Sequence, residues 1–599
     1  MLGPIFNREW LTTPRQPRHY ILRAAYLGLL WVLGITAWQT LVGWDQTATL
    51  GDTARFGVLL FQVLARVQLA LLLFFAALSA ASTVAREKDR RTFLLLLMTD
   101  LSSSEIVLGK LFGSLLQIIL LLAGTVPVFG LLLILGGVAP EQVAQTVLIM
   151  IATAVAAGSL GSLIALWREK TFPTLALTVL FLVLYWCLIQ ALGFLPSSLF
   201  NVSVLQKWLD PFLALNSALD LSPGASVVIA PAYGFALTML VISVLLNVWA
   251  VLRLRVWNPS GEPIMQREAP DESEDEKDRA KAHAAPGVVR GVWANPILWR
   301  EIGTLAYGRR PYLVKVAFFI VFGLICYYAV STLYGSAGRS SYFAAYGLVP
   351  VSVLSLLLVS AQAVTAITSE RDTGALDLLL VTDLTPKEFI FGKLAGIAYN
   401  TKEFIIPPLI LTIVYACYGL LGTPPQGKPE MALPMNIEGA ICVNIGFLLL
   451  MAFAAVLGIH VALRTLNSQL AVINSLGTIF FLSVGTLICI YLILINPRFE
   501  SQWFSFLFFL AMGIGGLWWV LNSDRPSPAL TLAAWLAPLG VFYAVTNILV
   551  AKPGSEESAD PLMPLLVVGG VFGFMIAAML VPLLSEFDVA LGRTTAAQE

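Results

Sequence analysis

The chain has 599 residues, of which 58% are hydrophobic and 12% are charged, and its formal net charge at pH 7 is +0. Soluble domains carry about 25% charged residues, so this composition predicts a polytopic membrane protein. No segment is strongly basic, which leaves nucleic-acid binding without support. The cysteines are scattered through apolar runs and the histidines lie far apart, so neither a disulfide framework nor a metal site is indicated.

The first 255 residues predict one half of a helical bundle. Residues 1–19 read as a short amphipathic segment that suits a helix lying at the membrane surface. Apolar runs of spanning length follow at about 20–42, 60–84, 106–135, 143–166, 173–195 and 227–252. Lysines and arginines concentrate in the loops on one side, which predicts a cytoplasmic N-terminus and an external position for residues 196–225.

Residues 256–290 predict a solvated, flexible linker, because they contain a block of charges at 271–279 and no apolar periodicity. The pattern then restarts in a second half, 291–599. Its surface segment at 295–301 resembles the segment at 4–9, and its core spans are predicted at about 313–334, 346–368, 394–421, 438–463, 470–495 and 563–584. The chain therefore predicts an all-α duplicated six-helix bundle whose halves share one orientation.

The second half contains two further apolar segments, 503–521 and 529–551. The later of the two resembles the external residues 208–224 of the first half, which favours an external or re-entrant helix. We therefore expect twelve core spans, with fourteen crossings as the alternative. Both counts leave the C-terminus on the cytoplasmic side.

A charged stretch between the second and third spans occurs twice, at 86–110 and 370–393. The copies align without a gap at the pairs Glu87 and Glu370, Asp100 and Asp383, Glu105 and Glu388, and Lys110 and Lys393. A loop that only sets topology needs positive charge alone, whereas acidic residues are repeated here. The middle of each copy is apolar although it lies outside the predicted spans, which favours a docking helix over a plain loop.

Each copy continues with a helix-start pattern. Ser102 in the first copy and Thr385 in the second precede a glutamate by three residues, which predicts a capping box at the start of the next span. The Gly-Lys pair that follows lacks the upstream glycine and the next Ser or Thr of a phosphate-binding loop. No nucleotide, cofactor or metal site is expected in the chain, and we do not expect it to be an enzyme.

Charged residues inside the predicted spans are few. Lys402 and Glu403 are adjacent in the ninth predicted span, and they either face the bundle as buried groups or lie shallow. We keep them as candidates for a transport pathway. Arg66, in the second span, is most simply an arginine that reaches the membrane interface.

The duplicated stretch resembles a segment of the type-2 ATP-binding-cassette (ABC) permeases of bacterial exporters. That segment reads Glu-Arg-Glu-x-Gly-Thr-Leu-Glu-Leu-Leu-Leu and later ends in Gly-Lys. Residues 370–380 follow the pattern closely, and residues 87–93 follow it less closely, with Arg91 where the family has glycine. The segment at 295–301 also resembles the permeases of the gliding-motility and copper-enzyme-maturation type.

The resemblance implies that each stretch is a coupling helix on which a separate ATPase subunit docks, so one chain would hold two such subunits. ATP and Mg²⁺ would be bound by those partners, and the chain would reside in the bacterial cytoplasmic (inner) membrane. The docking residues expected from it are Glu87, Arg90, Arg91, Leu94, Leu95, Glu370, Arg371, Leu376, Leu379 and Asp383.

Two other functions stay open at this point. A secondary transporter of six-plus-six build predicts buried carboxylates or broken helices at matching depths of the two halves. A membrane assembly scaffold that transports nothing is the third possibility. The sequence does not indicate the substrate.

Overall fold

The computed structural model describes most of the chain. The described ranges are 3–12, 49–89, 92–168, 171–193, 202–219, 230–258, 293–303, 311–334, 343–372, 374–376, 384–421, 437–495, 503–522, 527–550 and 561–585, with residue 379 and scattered residues between 20 and 38. Within them the chain is helical and has no strand, and 11 helices are long and apolar enough to cross a membrane. The predicted all-α polytopic architecture is confirmed.

The first half contains nine described helices, and most of the predicted first span lies outside the described residues. They are α1 (Gly3–Thr12), α2 (Leu50–Asp89), α3 (Thr92–Leu97), α4 (Ser103–Leu135), α5 (Pro140–Trp167), α6 (Thr171–Leu192), α7 (Val202–Leu209), α8 (Pro211–Leu219) and α9 (Pro231–Trp257). The short helices α7 and α8 occupy the segment predicted to be external. Asp210 ends α7 and starts α8, because its carboxylate accepts hydrogen bonds from the backbone N–H of Phe212 and Leu213.

The second half also contains nine described helices, and residues 259–292 of the linker region lie outside the described part. They are α10 (Pro296–Gly303), α11 (Pro311–Tyr334), α12 (Phe343–Asp372), α13 (Pro386–Leu421), α14 (Ile437–Arg464), α15 (Ser468–Ile495), α16 (Trp503–Leu521), α17 (Pro528–Val550) and α18 (Leu562–Ser585). In order and length, α10 and α12–α15 repeat α1, α2 and α4–α6 of the first half.

Each half is built around one close helix pair, α2 with α5 and α12 with α14. Glycine allows the approach in both pairs: Gly161 of α5 lies against the backbone of Ala77, and Gly458 of α14 faces Ala363. Small residues at such crossings let two helix backbones come together inside a membrane, where packing rather than hydrophobicity holds helices to each other.

The two halves meet through α2 and α6 of the first and α11, α12 and α15 of the second. One buried apolar cluster contains residues from both halves, among them Phe74 and Leu175 of the first half and Leu358 and Leu476 of the second. The apolar core is therefore continuous across the interface.

We call the end of the bundle that carries the duplicated stretch the stretch end, and the opposite end the far end. The segment α16–α17 is a hairpin that runs between them. Near the stretch end, Ser527 Oγ lies 3.1 Å from the His460 ring and Asn474 Nδ2 donates to Val520 O at 3.0 Å. Toward the far end, Phe506 packs on Ile488 and Phe542.

The hairpin therefore lies beside α15 along most of its length. At 1.5 Å per residue, α16 and α17 are about 28 and 34 Å long, close to the thickness of a bilayer core of about 30 Å. This arrangement favours fourteen crossings over the external or re-entrant helix expected for 529–551. The match to residues 208–224 is an apolar likeness between segments that occupy different places in the two halves.

The hairpin makes a topology test possible. Asn522 ends α16 at the stretch end, so a membrane-impermeant maleimide should label Asn522→Cys from the same side as Leu95→Cys, in a chain whose five native cysteines are replaced. Labelling of the two positions from opposite sides would contradict the spanning hairpin.

Candidate functional site

In both halves, the predicted capping box lies after the apolar middle of the duplicated stretch. The backbone N–H of Ser102 donates to Glu105 Oε2 at 3.0 Å, and the N–H of Glu105 donates to Ser102 Oγ at 3.3 Å. Thr385 and Glu388 make the same two bonds at 3.0 and 3.2 Å. The capping boxes are confirmed, and they set where α4 and α13 begin.

The short helix α3 separates the apolar residues of the first stretch into two faces. Phe93 and Leu97, one helical turn apart, are buried against Val84 and Ile106. Leu95 is 64% exposed and Met98 68% exposed, while Leu94 is half-buried. The helix therefore holds to the bundle by one face and presents an apolar surface on the other.

The second stretch is described only in part. Leu376, at the position that aligns with Phe93, is buried, and Leu379 is half-buried. Gly374 adopts a left-handed backbone with φ of 73°, which a glycine takes without strain. Of the predicted docking residues, Arg90, Arg91 and Asp383 lie outside the described residues.

Beneath the second stretch is a network of charges that joins three helices. Lys393 of α13 lies 2.7 Å from Glu301 of α10 and 2.7 Å from Glu370 of α12. Arg300 also pairs with Glu370. The Lys393 and Glu301 side chains are only 1% and 2% exposed. Glu370, predicted as a docking residue, thus faces inward and ties α12 to α10 and α13.

The first half repeats part of this network. Glu87 at the end of α2 pairs with Lys110 of α4, as Glu370 does with Lys393. Glu9 of α1 pairs with Arg8 at 2.7 Å and is more exposed than Glu301. An open cavity of about 520 Å³ lies between α1 and α3, and its lining includes the Glu87–Lys110 pair. Helices α1 and α10 are therefore held to the bundle differently.

The basic residue after each glutamate stabilises the end of another helix. Lys88 donates to the carbonyl oxygens of Leu166 and Arg168 at the C-terminus of α5. Arg371 donates to Ala462 O at 2.8 Å and Thr465 O at 2.7 Å at the C-terminus of α14. A cation here satisfies carbonyls that lack helical partners and offsets the negative end of the helix dipole. Arg371 was predicted as a docking residue, and the structure places its guanidinium at this helix end.

Sequence reasoning missed Lys88, Glu301 and the glycines that allow α1 and α10 to pack closely on α4 and α13. Gly396 faces α10 so closely that a Cβ there would lie 2.7 Å from Glu301 Cβ, and at Gly113 a Cβ would lie 3.1 Å from Glu9 Cγ. A signal was present, because both glycines follow the repeated lysine by three residues and Lys88 aligns with Arg371.

The two pathway candidates lie within the second half. Glu403 pairs with Lys315 of α11 at 2.6 Å, and Lys402 lies over the ring of Tyr399. Their helix, α13, packs mainly against α10, α11, α12, α14 and α18, all of the second half. The structure therefore does not bring them to the contact between halves.

The described residues contain no group of three His, Cys, Asp or Glu side chains that could hold a metal ion. No protein-family model matches the chain, and no curated protein matches it with significant similarity.

Proposed function

We propose that this chain is the membrane-spanning permease of an ABC exporter, and that ATPase subunits dock on its two duplicated stretches. The observation that carries the proposal is the outer face of α3. Leu95 of α3 and Met98, which directly follows the helix, are both exposed, while the opposite face of α3 is buried and holds it in place. An apolar surface outside the spans is unfavourable in water unless a partner covers it.

The helix suits the recognition mode in which a groove receives the apolar face of a short helix. Charged residues lie near it: Arg8 of α1 lines the open cavity beside Leu95, and Asp100 follows the helix in the sequence. Apolar anchors within a polar rim are the usual anatomy of a protein interface.

The ion pairs beneath the stretches suit the transmission of movement from a docked partner into the bundle. In the second half, one ion network joins α10, α12 and α13, so a partner that displaces this end moves three helices together. The first half has the aligned pair Glu87 and Lys110, which joins α2 to α4, so the chain has an ion pair under each stretch, in agreement with two ATPase subunits. ATP and Mg²⁺ belong to the partners in this proposal, and the chain performs no hydrolysis itself.

The proposal also sets the orientation. The stretch end faces the cytoplasm of a bacterium, the membrane is the cytoplasmic (inner) membrane, and both termini are cytoplasmic. The concentration of lysine and arginine in loops at this end supports that orientation. The secondary-transporter alternative has weaker support, because Glu403 aligns with Leu120 in the first half rather than with a second carboxylate.

A charge placed on α3 tests the proposal. The tagged chain is purified from its native membranes, and vanadate-sensitive ATP hydrolysis is measured per mole of chain. Leu95→Asp should lower it at least about tenfold, because truncating an interface anchor weakens binding by 2 kcal/mol or more and a desolvated carboxylate adds to the loss.

Leu466→Asp is the matched control, because Leu466 is 62% exposed at the same end but lies between α14 and α15. It should leave the hydrolysis unchanged. Equal activity in the two variants, or a native chain that carries no vanadate-sensitive ATPase, would contradict the proposed function.

A further inference from the structure

Three phenylalanines meet where the halves join. The rings of Phe74 in α2 and Phe480 in α15 stack with centroids 3.9 Å apart and planes within 2°. Phe75 packs edge-on against both, at 5.4 Å from Phe74 and 6.0 Å from Phe480. We call these three residues the Phe cluster.

The Phe cluster lies near mid-depth. Counted from the stretch end at 1.5 Å per residue, Phe74 is about 22 Å along α2 and Phe480 about 18 Å along α15. Gly477, one turn before Phe480, faces the Phe75 ring, and a Cβ there would lie 3.4 Å from that ring. The glycine leaves room for the ring between α2 and α15.

The second half has leucines at the positions that align with the Phe residues of α2. The alignment that pairs Glu87 with Glu370 pairs Phe74 and Phe75 with Leu357 and Leu358 of α12. These leucines belong to the same apolar cluster as the Phe residues, as does Leu184 of α6. The aligned positions of α12 therefore hold no aromatic residue.

The helices at the interface carry few polar groups. Ser360 Oγ of α12 lies 2.9 Å from Ser475 Oγ of α15, and Gln469 Nε2 donates to Thr83 Oγ1 at 3.0 Å from one half to the other. Helices α6 and α15 contain no charged residue. Their buried threonines bond to their own helices: Thr178 donates to Thr174 O and Thr478 to Asn474 O. Thr365 of α12 donates likewise to Ala361 O. A substrate between the halves would thus meet mainly methyl groups and aromatic rings.

We propose that the Phe cluster closes the pathway between the halves, and that this pathway takes a lipid-type substrate with a long apolar chain. The inference rests on the proposed function, since it assumes that a substrate passes between the halves. A sugar or an ion would lose its hydration there and find few free hydrogen-bond partners. A hydrocarbon chain can replace the ring contacts as the halves part, because it offers the same kind of surface.

The test needs no ATPase. The purified full chain is reconstituted into liposomes that contain a phosphatidylethanolamine with a fluorescent nitrobenzoxadiazole head group, and dithionite quenching reports how fast this probe exchanges between leaflets. Phe480→Ala should accelerate the exchange several-fold over the unsubstituted chain. Phe480→Leu, which keeps a large apolar side chain at this position, should stay close to the unsubstituted rate.

Phe453→Ala is the matched control, since its ring packs edge-on against Phe572 at 5.0 Å inside the second half. It should not accelerate exchange. If Phe480→Ala does not fold, Phe75→Ala removes another ring of the same cluster. Phe75 is only partly buried, and its removal should give the same acceleration of lipid exchange.

Two outcomes would overturn the inference. Equal lipid exchange in Phe480→Ala and Phe453→Ala would show that the Phe cluster does not close the pathway. Release of trapped carboxyfluorescein by Phe480→Ala without faster lipid exchange would exclude a lipid-type substrate. Neither outcome bears on ATPase docking, because the exchange is passive and the Leu95→Asp experiment reports docking by itself.

Discussion

Lys393→Ala should lower the free energy of unfolding by about 3–5 kcal/mol, the range for removing one partner of a buried ion pair. Lys393 is the cation between Glu301 and Glu370, and its side chain is 1% exposed. Without it, two carboxylates remain close together, and that of Glu301 is only 2% exposed. Arg300 stays near both, which places the expected loss at the lower end of the range. Unfolding of the detergent-purified protein by sodium dodecyl sulfate measures the loss.

Lys110→Ala is the internal comparison, because Lys110 holds the aligned position in the first half. Its partner Glu87 is 23% exposed, so water can solvate the carboxylate that is left, and the loss should be smaller. Adding Glu301→Gln to Lys393→Ala should recover part of the stability, because it removes one of the facing charges. Equal losses at Lys393 and Lys110 would show that burial of the network does not determine its strength.

Gly161→Ala should destabilise the first half by about 3 kcal/mol, the upper part of the range for overpacking. A Cβ at Gly161 would overlap the carbonyl oxygen of Ala77, a backbone atom that can move only if α2 moves. The added methyl group therefore separates α2 from α5, the closest helix pair of that half. A lower melting temperature of the purified protein checks the prediction.

Gly130→Ala provides the control for helix propensity. Gly130 also lies inside a helix, α4, but nothing is within 4 Å of the position where its Cβ would be. Alanine favours helix over glycine by up to about 1 kcal/mol, so this variant should be neutral or slightly more stable. If Gly161→Ala is equally well tolerated, the α2–α5 contact is looser than the structure indicates.

The predicted docking residues show how far an aligned repeat leads. The repeat located the stretch and both capping boxes, because a cap depends on residues three apart in sequence. It did not separate residues that face outward, such as Leu95, from Glu370, Arg371 and Leu376, which hold helices together. That separation depends on where α1, α10 and the ends of α5 and α14 lie, and no local pattern encodes those positions.

The sequence by itself determined the helical membrane architecture, the duplication and the stretch, since composition, apolar periodicity and capping are local properties. Only the tertiary structure decided that α16–α17 runs beside α15 and that Lys402 and Glu403 stay within the second half. It alone brought Phe74 and Phe480 together. All spans are apolar, so hydrophobicity shows that a segment belongs in the membrane but not which neighbour it takes. That choice depends on shape: glycines against backbones, stacked rings and paired charges between residues far apart in the chain.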